Sequence, residues 1–358
     1  MDGMNPLRIA VAGAGVIGRR HIELIAADPA CTLAAIADPT PAAKALADSA
    51  GVPLHASLPA LLAGTRPDAV IIATPNHLHV DNALACLAAG VPALIEKPVA
   101  HTMEAGLRLA QAAARSSVPL LVGHHRTHSP LLHRARAIVQ SGVLGPLVAV
   151  MGSALFYKPD SYFDDAPWRR EPGGGPVLIN MIHEIGNLRS LCGEIVAVQA
   201  AASSATRHHA VEDTMAILLR FAGGALGTFI VSDVAASARS WEQTSQENKA
   251  YATYPDEDCY VLAGTHGSLS FPTMRIKRYE HDEDRSWWKP MLAETAAVTR
   301  DDPLVAQLAH FCAIVRGEVA PLVTVQDGLQ NLRVIEAIVA AARYGRVIDL
   351  AVAEVATA

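Results

Sequence analysis

The sequence has few cysteines and few aromatic residues, and it lacks a cysteine pattern of known function. Its five cysteines are Cys31, Cys86, Cys192, Cys259 and Cys312. They are odd in number, widely spaced and form no C-x-x-C pair, which argues against a disulfide framework and against a zinc site. We interpret the five cysteines as reduced thiols in the core, which predicts a cytoplasmic protein.

The chain also lacks a run of apolar residues long enough to span a bilayer. Its most apolar stretch, residues 80–95, contains Asp81 and Asn82 and therefore predicts a buried helix followed by a strand. The first residues, MDGMNPLRIA, have neither the basic region nor the apolar core of a signal peptide. A net charge of −6 disfavours nucleic acid and anionic membranes as partners. We expect a cytoplasmic protein whose partner is a small molecule.

A glycine-rich turn stands near the start of the chain. Residues 13–18 read GAGVIG, between the apolar run Leu7–Ala12 and a stretch compatible with a helix. G-x-G-x-x-G in this setting favours a dinucleotide, whose pyrophosphate lies at the helix N-terminus. A second apolar run ends at Asp38, where a carboxylate can bind the ribose hydroxyls and repel a 2′-phosphate. The sequence therefore predicts NAD, with NADP disfavoured, held by a loop comprising Gly13, Gly15, Val16, Ile17 and Gly18.

Buried strands alternate with helices up to about residue 125. Apolar runs at 69–73, 92–95 and 120–122 are separated by helical segments at 79–89 and 102–116. This alternation predicts βαβ units and a parallel sheet, that is, an α/β Rossmann domain over residues 1–125. Ligands of such sheets bind beyond the carboxyl ends of the strands. The loops at 13–18, 38–40, 74–76, 96–98 and 123–125 are expected there.

Longer extended runs follow, at 147–156, 195–203, 214–221 and 226–232. They predict an α+β domain over residues 126–358 with a mixed, mostly antiparallel sheet. Residues 237–258 are polar but include Trp241, Tyr251 and Tyr254. We interpret them as a long surface loop that is either functional or else an oligomer contact or a disordered flap.

Lys97 is the sharpest candidate for catalysis. It directly follows an apolar strand and precedes Pro98, so it should lie at the ligand-binding edge of the sheet. A lysine there can donate a charge-assisted hydrogen bond to an alcohol or carbonyl oxygen. The alternative is that Glu96 and Lys97 form a solvated charged pair.

His183 is the candidate general base. It lies in GGGPVLINMIH, residues 173–183, where three glycines and a proline predict a tight loop entering a helix. Asn180, His183 and Asn187 would share one face of that helix, with Glu184 beside them. A neutral imidazole suits removal of a hydroxyl proton.

Other polar residues are candidates for contact with the substrate. His124, His125 and His128 cluster after the last Rossmann strand, but no carboxylate or cysteine stands at ligand spacing, so we predict no metal. Arg126 and the Trp168-Arg169 pair either bind a polar ring or are surface ion pairs and a core tryptophan.

These motifs together resemble the glucose-fructose oxidoreductase / inositol dehydrogenase / rhizopine catabolism (Gfo/Idh/MocA) family. GAGVIG at 13–18, ATPNHLH at 73–79, EKP at 96–98, GHHRTHSP at 123–130 and GGGPVLINMIH at 173–183 occur in family order across the chain. The resemblance implies a Rossmann domain followed by an open mixed-sheet domain that binds substrate and often forms the oligomer contact. Lys97 and His183 would take the catalytic roles.

The resemblance also assigns further residues. Thr74, Asn76 and His79 would lie by the cofactor, with Asn76 towards the nicotinamide side. Beyond the resemblance, we expect cofactor contacts also from Pro75, Glu96 and Lys97. The expected substrate contacts are Lys97, His124, Arg126, Trp168, Asn180 and His183. Many members have an aspartate four residues before the histidine, where this chain has Ile179. Either Asn180 anchors the substrate instead, or the chemistry is altered.

We therefore expect an NAD-dependent dehydrogenase acting on a secondary alcohol of a sugar, polyol or cyclitol, as a homodimer or homotetramer. Two alternatives stay open. One is a relative that retains NAD and cleaves or eliminates a glycosidic bond, and the other is a non-catalytic nucleotide-binding protein.

Overall fold

The computed structural model describes residues 5–350, which divide into two compact units. Unit 1 comprises residues up to 128 together with 303–332, and unit 2 comprises residues 129–302 together with those from 333. The predicted domains, 1–125 and 126–358, differ from this grouping in residues 126–128 and 303–332.

Unit 1 contains a parallel sheet, and within residues 5–350 its strand order is β3-β2-β1-β4-β5-β6. The order reverses between β1 and β4, which is where open α/β sheets bind ligands. The strands are β1 (Leu7–Ala12), β2 (Cys31–Ala37), β3 (Leu54–His55), β4 (Ala69–Ile72), β5 (Ala93–Glu96) and β6 (Leu120–Gly123). The helices are α1 (Val16–Ala27), α2 (Pro41–Ala50), α3 (Leu58–Thr65), α4 (His79–Ala89) and α5 (Met103–Ala113), with 3₁₀ turns at Asn76–Leu78 and His125–His128.

Unit 2 contains a mixed sheet, ordered β14-β13-β12-β11-β7-β10-β9-β8-β15 within the described residues. Only the β7–β10 pairing among these is parallel. The strands are β7 (Leu147–Leu155), β8 (Ile195–Ser203), β9 (Thr214–Phe221), β10 (Leu226–Ser232), β11 (Tyr260–Gly264), β12 (Gly267–Phe271), β13 (Arg275–Arg278), β14 (Leu292–Thr295) and β15 (Ile348–Asp349). The predicted fold class, a Rossmann domain and a mostly antiparallel mixed sheet, is confirmed.

The remaining elements are helical. They are α6 (Pro130–Gln140), α7 (Asp160–Asp164), α8 (Ile182–Cys192), α9 (Trp241–Thr244), α10 (Pro303–Val315) and α11 (Val325–Tyr344), with 3₁₀ turns at Pro167–Arg170 and Asp282–Asp284 and a π-helical turn at Val177–Met181. None of the helices within residues 5–350 is long and apolar enough to cross a membrane.

The core of unit 1 includes side chains from the late segment 303–332. Phe311 and Leu329 are buried in the same cluster as the strands β1, β4 and β5. The Val122 N–H donates to the Val323 carbonyl at 3.0 Å. A Cβ on Gly106 would lie 2.2 Å from Leu329 Cδ2, so this glycine permits the close approach of α5 and α11. Residues 303–332 thus complete the core around the parallel sheet.

The prediction of a surface loop at 237–258 is wrong for its first half. Trp241 and Glu247 are buried, and Trp241 Nε1 donates to Glu247 Oε2 at 3.1 Å. The other oxygen, Oε1, accepts from Ser129 Oγ at 2.5 Å. The buried carboxylate of Glu247 joins this segment to the start of α6. The polar composition of residues 237–258 favoured exposure and therefore did not predict this burial. Tyr251 and Tyr254 are exposed, as expected of a surface loop.

Candidate active site

The glycine loop follows β1 at the carboxyl edge of the parallel sheet. Gly13 has φ +96°, and a Cβ there would lie 2.4 Å from the Ala73 carbonyl oxygen. A Cβ on Gly18 would lie 1.9 Å from the Gly13 carbonyl oxygen. Gly15 differs, because no protein atom lies within 4 Å of the position its Cβ would take. The two outer glycines allow the turn to close, and the middle one leaves its outer side open.

The start of α1 is suited to an anion. Gly15 is its N-cap residue, and no side chain caps the helix. By contrast, Ser57, Thr102 and Ser129 cap α3, α5 and α6 with their side chains. The first N–H groups of α1 are therefore left for a ligand, and the helix dipole favours a negative one. The open space beside Gly15 and this uncapped terminus fit the pyrophosphate of a dinucleotide.

Asp38 lies at the end of β2 and is half-buried. Its Oδ2 accepts from the Ala14 N–H at 2.7 Å, and its Oδ1 accepts from the Thr40 N–H at 2.8 Å and from Thr40 Oγ1 at 2.5 Å. Burial opposes ionisation, but these hydrogen bonds and the Arg19 charge hold the pKa of Asp38 below its usual value. The carboxylate is thus ionised and fixed against the glycine loop, with lone pairs left for ribose hydroxyls.

The loop after β4 is fixed by His79. This side chain is 2% exposed, and its Nε2 and Nδ1 lie 2.8 Å and 2.7 Å from the carbonyl oxygens of Thr74 and Pro98. Burial lowers the pKa of His79, and the two carbonyls oppose this. His79 therefore connects the Thr74–Asn76 loop to the residue after Lys97. Thr74 Oγ1 also accepts from Asn82 Nδ2 at 3.2 Å.

Lys97 follows β5 and is half-buried, and its peptide bond to Pro98 is cis. Glu96 is buried rather than solvated, and its Oε1 lies 2.7 Å from His21 Nε2. Burial raises the pKa of Glu96, but the His21 hydrogen bond, with the charges of His21, His125 and Lys97, brings it below its usual value. The alternative of a solvated Glu96–Lys97 pair is therefore wrong.

His21, on the buried face of α1, is a residue that the sequence analysis missed. Its only sequence signal is a histidine three positions after Gly18, on an otherwise apolar helix face. The pairing with Glu96 spans 75 residues, so no local pattern predicts it.

The histidines after β6 have separate environments. His124 is buried, with its Nε2 3.2 Å from Asn331 Nδ2. Burial and the Arg126 charge lower the pKa of His125 to about 3. The rings of His128 and His310 lie 5.0 Å apart. Arg126 is 4% exposed, which excludes a surface ion pair. Among residues 5–350, no group of three or more His, Cys, Asp or Glu side chains could hold a metal ion.

In unit 2, His183 is buried at the start of α8, directly after the π-helical turn Val177–Met181. The wider turn changes the expected i, i+3 relation between Asn180 and His183, and π-turns are frequent at functional sites. Glu212 supports this turn, since its Oε1 accepts from the Val177 N–H at 3.0 Å. Burial raises the pKa of Glu212.

The polar residues on α8 are divided between two surroundings. Asn187 is buried and donates from Nδ2 to Tyr260 Oη at 3.0 Å, and Tyr260 donates to Glu184 Oε2. Glu184 and Asn187 are thus buried in the core of unit 2 and are bound to Tyr260. Asn180 is half-buried, and its Oδ1 accepts from Lys158 Nζ at 2.7 Å. Trp168 is 55% exposed, which excludes a core tryptophan.

The parallel sheet, the glycine loop and the ionised Asp38 define a dinucleotide-binding protein, and comparison with known families agrees. A family model described as an oxidoreductase family with an NAD-binding Rossmann fold matches residues 7–124. The GFO/IDH/MocA C-terminal domain matches residues 132–270.

Individual relatives and solved structures support the same assignment. The rhizopine catabolism protein MocA of Rhizobium meliloti is 31% identical over 231 residues, 63% of this chain and 70% of that protein. An inositol 2-dehydrogenase of Rhizobium meliloti is 25% identical over 351 residues, 96% of this chain and 99% of that protein. The WlbA dehydrogenase from Bordetella pertussis, solved with NADH and UDP-GlcNAcA, has a TM-score of 0.77 at 25% identity and covers 98% of this chain and 100% of that one. The chain belongs to the Gfo/Idh/MocA family of NAD-binding oxidoreductases, which confirms the predicted family and cofactor.

Proposed function

We propose that the protein is an NAD-dependent dehydrogenase that oxidises a secondary alcohol of a sugar, polyol or cyclitol-like substrate. The observation that carries the proposal is the position of Lys97, half-buried at the carboxyl end of β5 beside the loops for the cofactor. Relatives named inositol 2-dehydrogenase and 1,5-anhydro-D-fructose reductase act on hydroxylated rings by name, which supports this substrate class.

The proposed roles follow from the chemistry of each side chain. NAD, when bound, supplies the hydride acceptor. Lys97 donates a hydrogen bond to the substrate oxygen and stabilises negative charge that develops there. His183 accepts the hydroxyl proton as a general base. In the cofactor half, the pyrophosphate binds to the glycine loop, which comprises Gly13, Gly15, Val16, Ile17 and Gly18. Asp38 binds the adenosine ribose.

The fixed surroundings of Lys97 support its role. The Lys97 N–H donates to Glu96 Oε2 at 3.2 Å, while the other oxygen of that carboxylate is held by His21. On the far side, His79 holds the Pro98 carbonyl. A lysine whose backbone is held on both sides loses less conformational entropy when it binds a substrate.

The test is NADH absorbance of the purified protein across a panel of sugars, cyclitols and sugar acids, with Lys97→Ala as the variant. We expect NAD-linked turnover with one substrate class and a loss of about 100-fold or more in Lys97→Ala. NAD binding, measured by fluorescence, should persist in that variant. Lys44→Gln is the matched control, because Lys44 is exposed and forms a surface ion pair with Asp48.

Ile179 motivates the alternative functions, because a hydrophobic side chain there cannot anchor a substrate hydroxyl. Product formation without net NADH would favour a lyase or glycosidase that retains NAD. NAD binding with no turnover of any kind would favour a non-catalytic nucleotide-binding protein. Unchanged turnover in Lys97→Ala would contradict the role of Lys97.

We further propose that the protein is a cytoplasmic homodimer or homotetramer. Support comes from the outer face of the mixed sheet, where Met151 and Leu218 are 58% and 52% exposed. Both pair in register with Thr228, so they form one row across three strands. A second copy covering this row would bury it. Light scattering of the purified protein measures the oligomeric state.

A further inference from the structure

Arg19 contacts the glycine loop beside Asp38. It stands in the first turn of α1, and its Nε donates to the Ala14 carbonyl oxygen at 3.1 Å. The N–H of Ala14 donates to Asp38 Oδ2 at 2.7 Å. The arginine and the aspartate therefore bind the two backbone polar groups of one loop residue. Both charges thus lie at the part of the cofactor site that receives the adenosine ribose.

Arg19 keeps most of its hydrogen-bonding capacity for a ligand. A guanidinium group has several N–H donors and is always charged. Among residues 5–350, only the Ala14 carbonyl accepts a hydrogen bond from Arg19, and no carboxylate forms an ion pair with it. Glu23, one turn further along α1, pairs instead with Arg20 at 3.1 Å. The Arg19 charge is therefore available to a negatively charged group.

Asp38 acts on Arg19 across the loop and not through direct contact. Its Oδ2 is held by the Ala14 N–H, and its Oδ1 is held by the N–H and the hydroxyl of Thr40. The Arg19 charge helps to lower the pKa of this carboxyl, so Asp38 is ionised. A ribose hydroxyl can donate to the carboxylate, whereas a phosphate only accepts hydrogen bonds and is repelled by it. A group that binds here therefore meets one charge of each sign.

We propose that Arg19 is a second residue that determines cofactor specificity, a cation able to bind the 2′-phosphate of NADP, and that Asp38 suppresses this binding. The predicted preference for NAD then results from two opposing charges beside Ala14, and not from the lack of a phosphate-binding group. A guanidinium group suits a phosphate because it donates two parallel hydrogen bonds. NAD has no 2′-phosphate, so Arg19 contributes little to its binding. The inference concerns the cofactor site of unit 1 and does not depend on the proposed substrate.

The experiment is a double-mutant cycle on cofactor binding. NADH and NADPH are titrated by fluorescence against the full-length protein, Arg19→Gln, Asp38→Asn and the double variant. Asp38→Asn should raise NADPH affinity by about ten-fold or more, because the repelling charge is removed while Arg19 remains. In that background, Arg19→Gln should remove most of the gain and should change NADH affinity by less than about two-fold.

Further variants separate specificity from folding. Arg20→Gln is the matched control, because Arg20 is the next residue along α1 and pairs with Glu23 on its surface. In the Asp38→Asn background it should change neither affinity. Arg19→Lys keeps the charge and should retain part of the NADPH gain. Thermal unfolding identifies a loss of fold, and Asp38→Ser replaces Asp38→Asn if that variant is unstable.

Three outcomes would overturn the proposal. A folded Asp38 variant without a gain in NADPH affinity would show that Asp38 masks no phosphate site. A gain that persists after Arg19→Gln would assign the phosphate to another group. Equal losses of NADH and NADPH affinity in Arg19→Gln would mean that Arg19 contacts a part common to both cofactors. All three are binding measurements, so they stand whether or not the protein oxidises the proposed substrates.

Discussion

The two units hold their candidate functional groups in different ways. In unit 1 the cofactor loop offers backbone N–H groups, and its turn is closed by the near contacts of Gly18 with the Gly13 backbone and of Gly13 with the Ala73 backbone. In unit 2 the candidate groups are held by partners distant in sequence: Asn180 by Lys158, and the Val177 N–H of the π-helical turn by Glu212. The comparison teaches that the cofactor loop is built mainly from backbone geometry, whereas the candidate groups of unit 2 are positioned by pairings between residues far apart in sequence.

The largest effect that tests this contrast is expected for Gly18→Ala. Its Cβ would lie 1.9 Å from the Gly13 carbonyl oxygen, a backbone atom that cannot move without opening the turn. We expect a loss of unfolding free energy of about 3 kcal/mol or more, and no measurable NADH binding. Thermal unfolding and NADH fluorescence titration measure the two effects.

Gly15→Ala is the matched variant for the same loop. Its Cβ meets no protein atom within 4 Å, so stability should be unchanged. NADH affinity should still fall, by about ten-fold or more, because the methyl group occupies space needed by the pyrophosphate. Equal stability losses in the two variants, or full NADH affinity in Gly15→Ala, would contradict this division of roles.

Glu96→Gln tests the long-range pair in unit 1. We expect a loss of about 1.5–3 kcal/mol at pH 7, since a buried hydrogen bond between a carboxylate and His21 is replaced by a neutral one. The pKa of Glu96 is lower in the folded protein, so the ionised carboxylate stabilises the fold above its unfolded pKa of about 4.3. This contribution disappears as the pH falls through the folded value.

The pH dependence gives the sharper measurement for this variant. The difference in Tm between wild type and Glu96→Gln should be largest near pH 7 and should narrow below about pH 4.3. A difference that stays constant down to pH 3 would show that ionisation of the Glu96 carboxylate contributes nothing specific.

Tyr260→Phe tests the corresponding buried contact in unit 2. The ring, which stacks on Phe271 at 5.2 Å, is kept, and only the hydroxyl between Asn187 and Glu184 is removed. We expect a loss of about 1–3 kcal/mol in unfolding free energy. NADH affinity should not change, because the nucleotide contacts belong to unit 1. Phe271→Leu, which removes the ring contact but keeps the hydroxyl, separates packing from hydrogen bonding.

Asp38→Asn should have the smallest effect. The amide has one oxygen, so it cannot accept from both Ala14 and Thr40, and it no longer repels a 2′-phosphate. We expect the ratio of kcat/KM with NAD to that with NADP to fall by about ten-fold. Asp48→Asn, at an exposed carboxylate, is the control. An unchanged ratio would mean that another group selects the cofactor.

The sequence predicted the parts of the fold that short motifs encode. The glycine loop, the strands β1, β2, β4, β5 and β6, and the helix α4 (His79–Ala89) lie within a few residues of their predicted positions. The short α3 was missed, although Ser57 caps it and Pro59 stands in its first turn, because its eight residues include Pro59 and Gly64. Such breakers conceal a helix whose stability comes from packing.

The candidate sites could be predicted only as far as one chain segment reaches. The lysine at the end of β5 and the histidine after the glycine run each follow from position in a motif. The side-chain pairings beside them do not, since His21 lies 75 residues from its partner Glu96, and Lys158 lies 22 residues from its partner Asn180. A lysine between aromatic residues, FYKPDSYF, gives no signal of its partner.

The late segment 303–332 bears on how this gene can be recombined. Because Phe311 and Leu329 fill the core around a sheet built from residues 7–123, the nucleotide-binding half is encoded in two separate parts. Exchange of residues 1–128 alone with a relative would place a foreign sheet against resident helices, and any side chain larger than glycine at position 106 would meet the resident Leu329. A working chimera must therefore exchange both parts together, and the crossover near residue 332 falls inside the single helix α11.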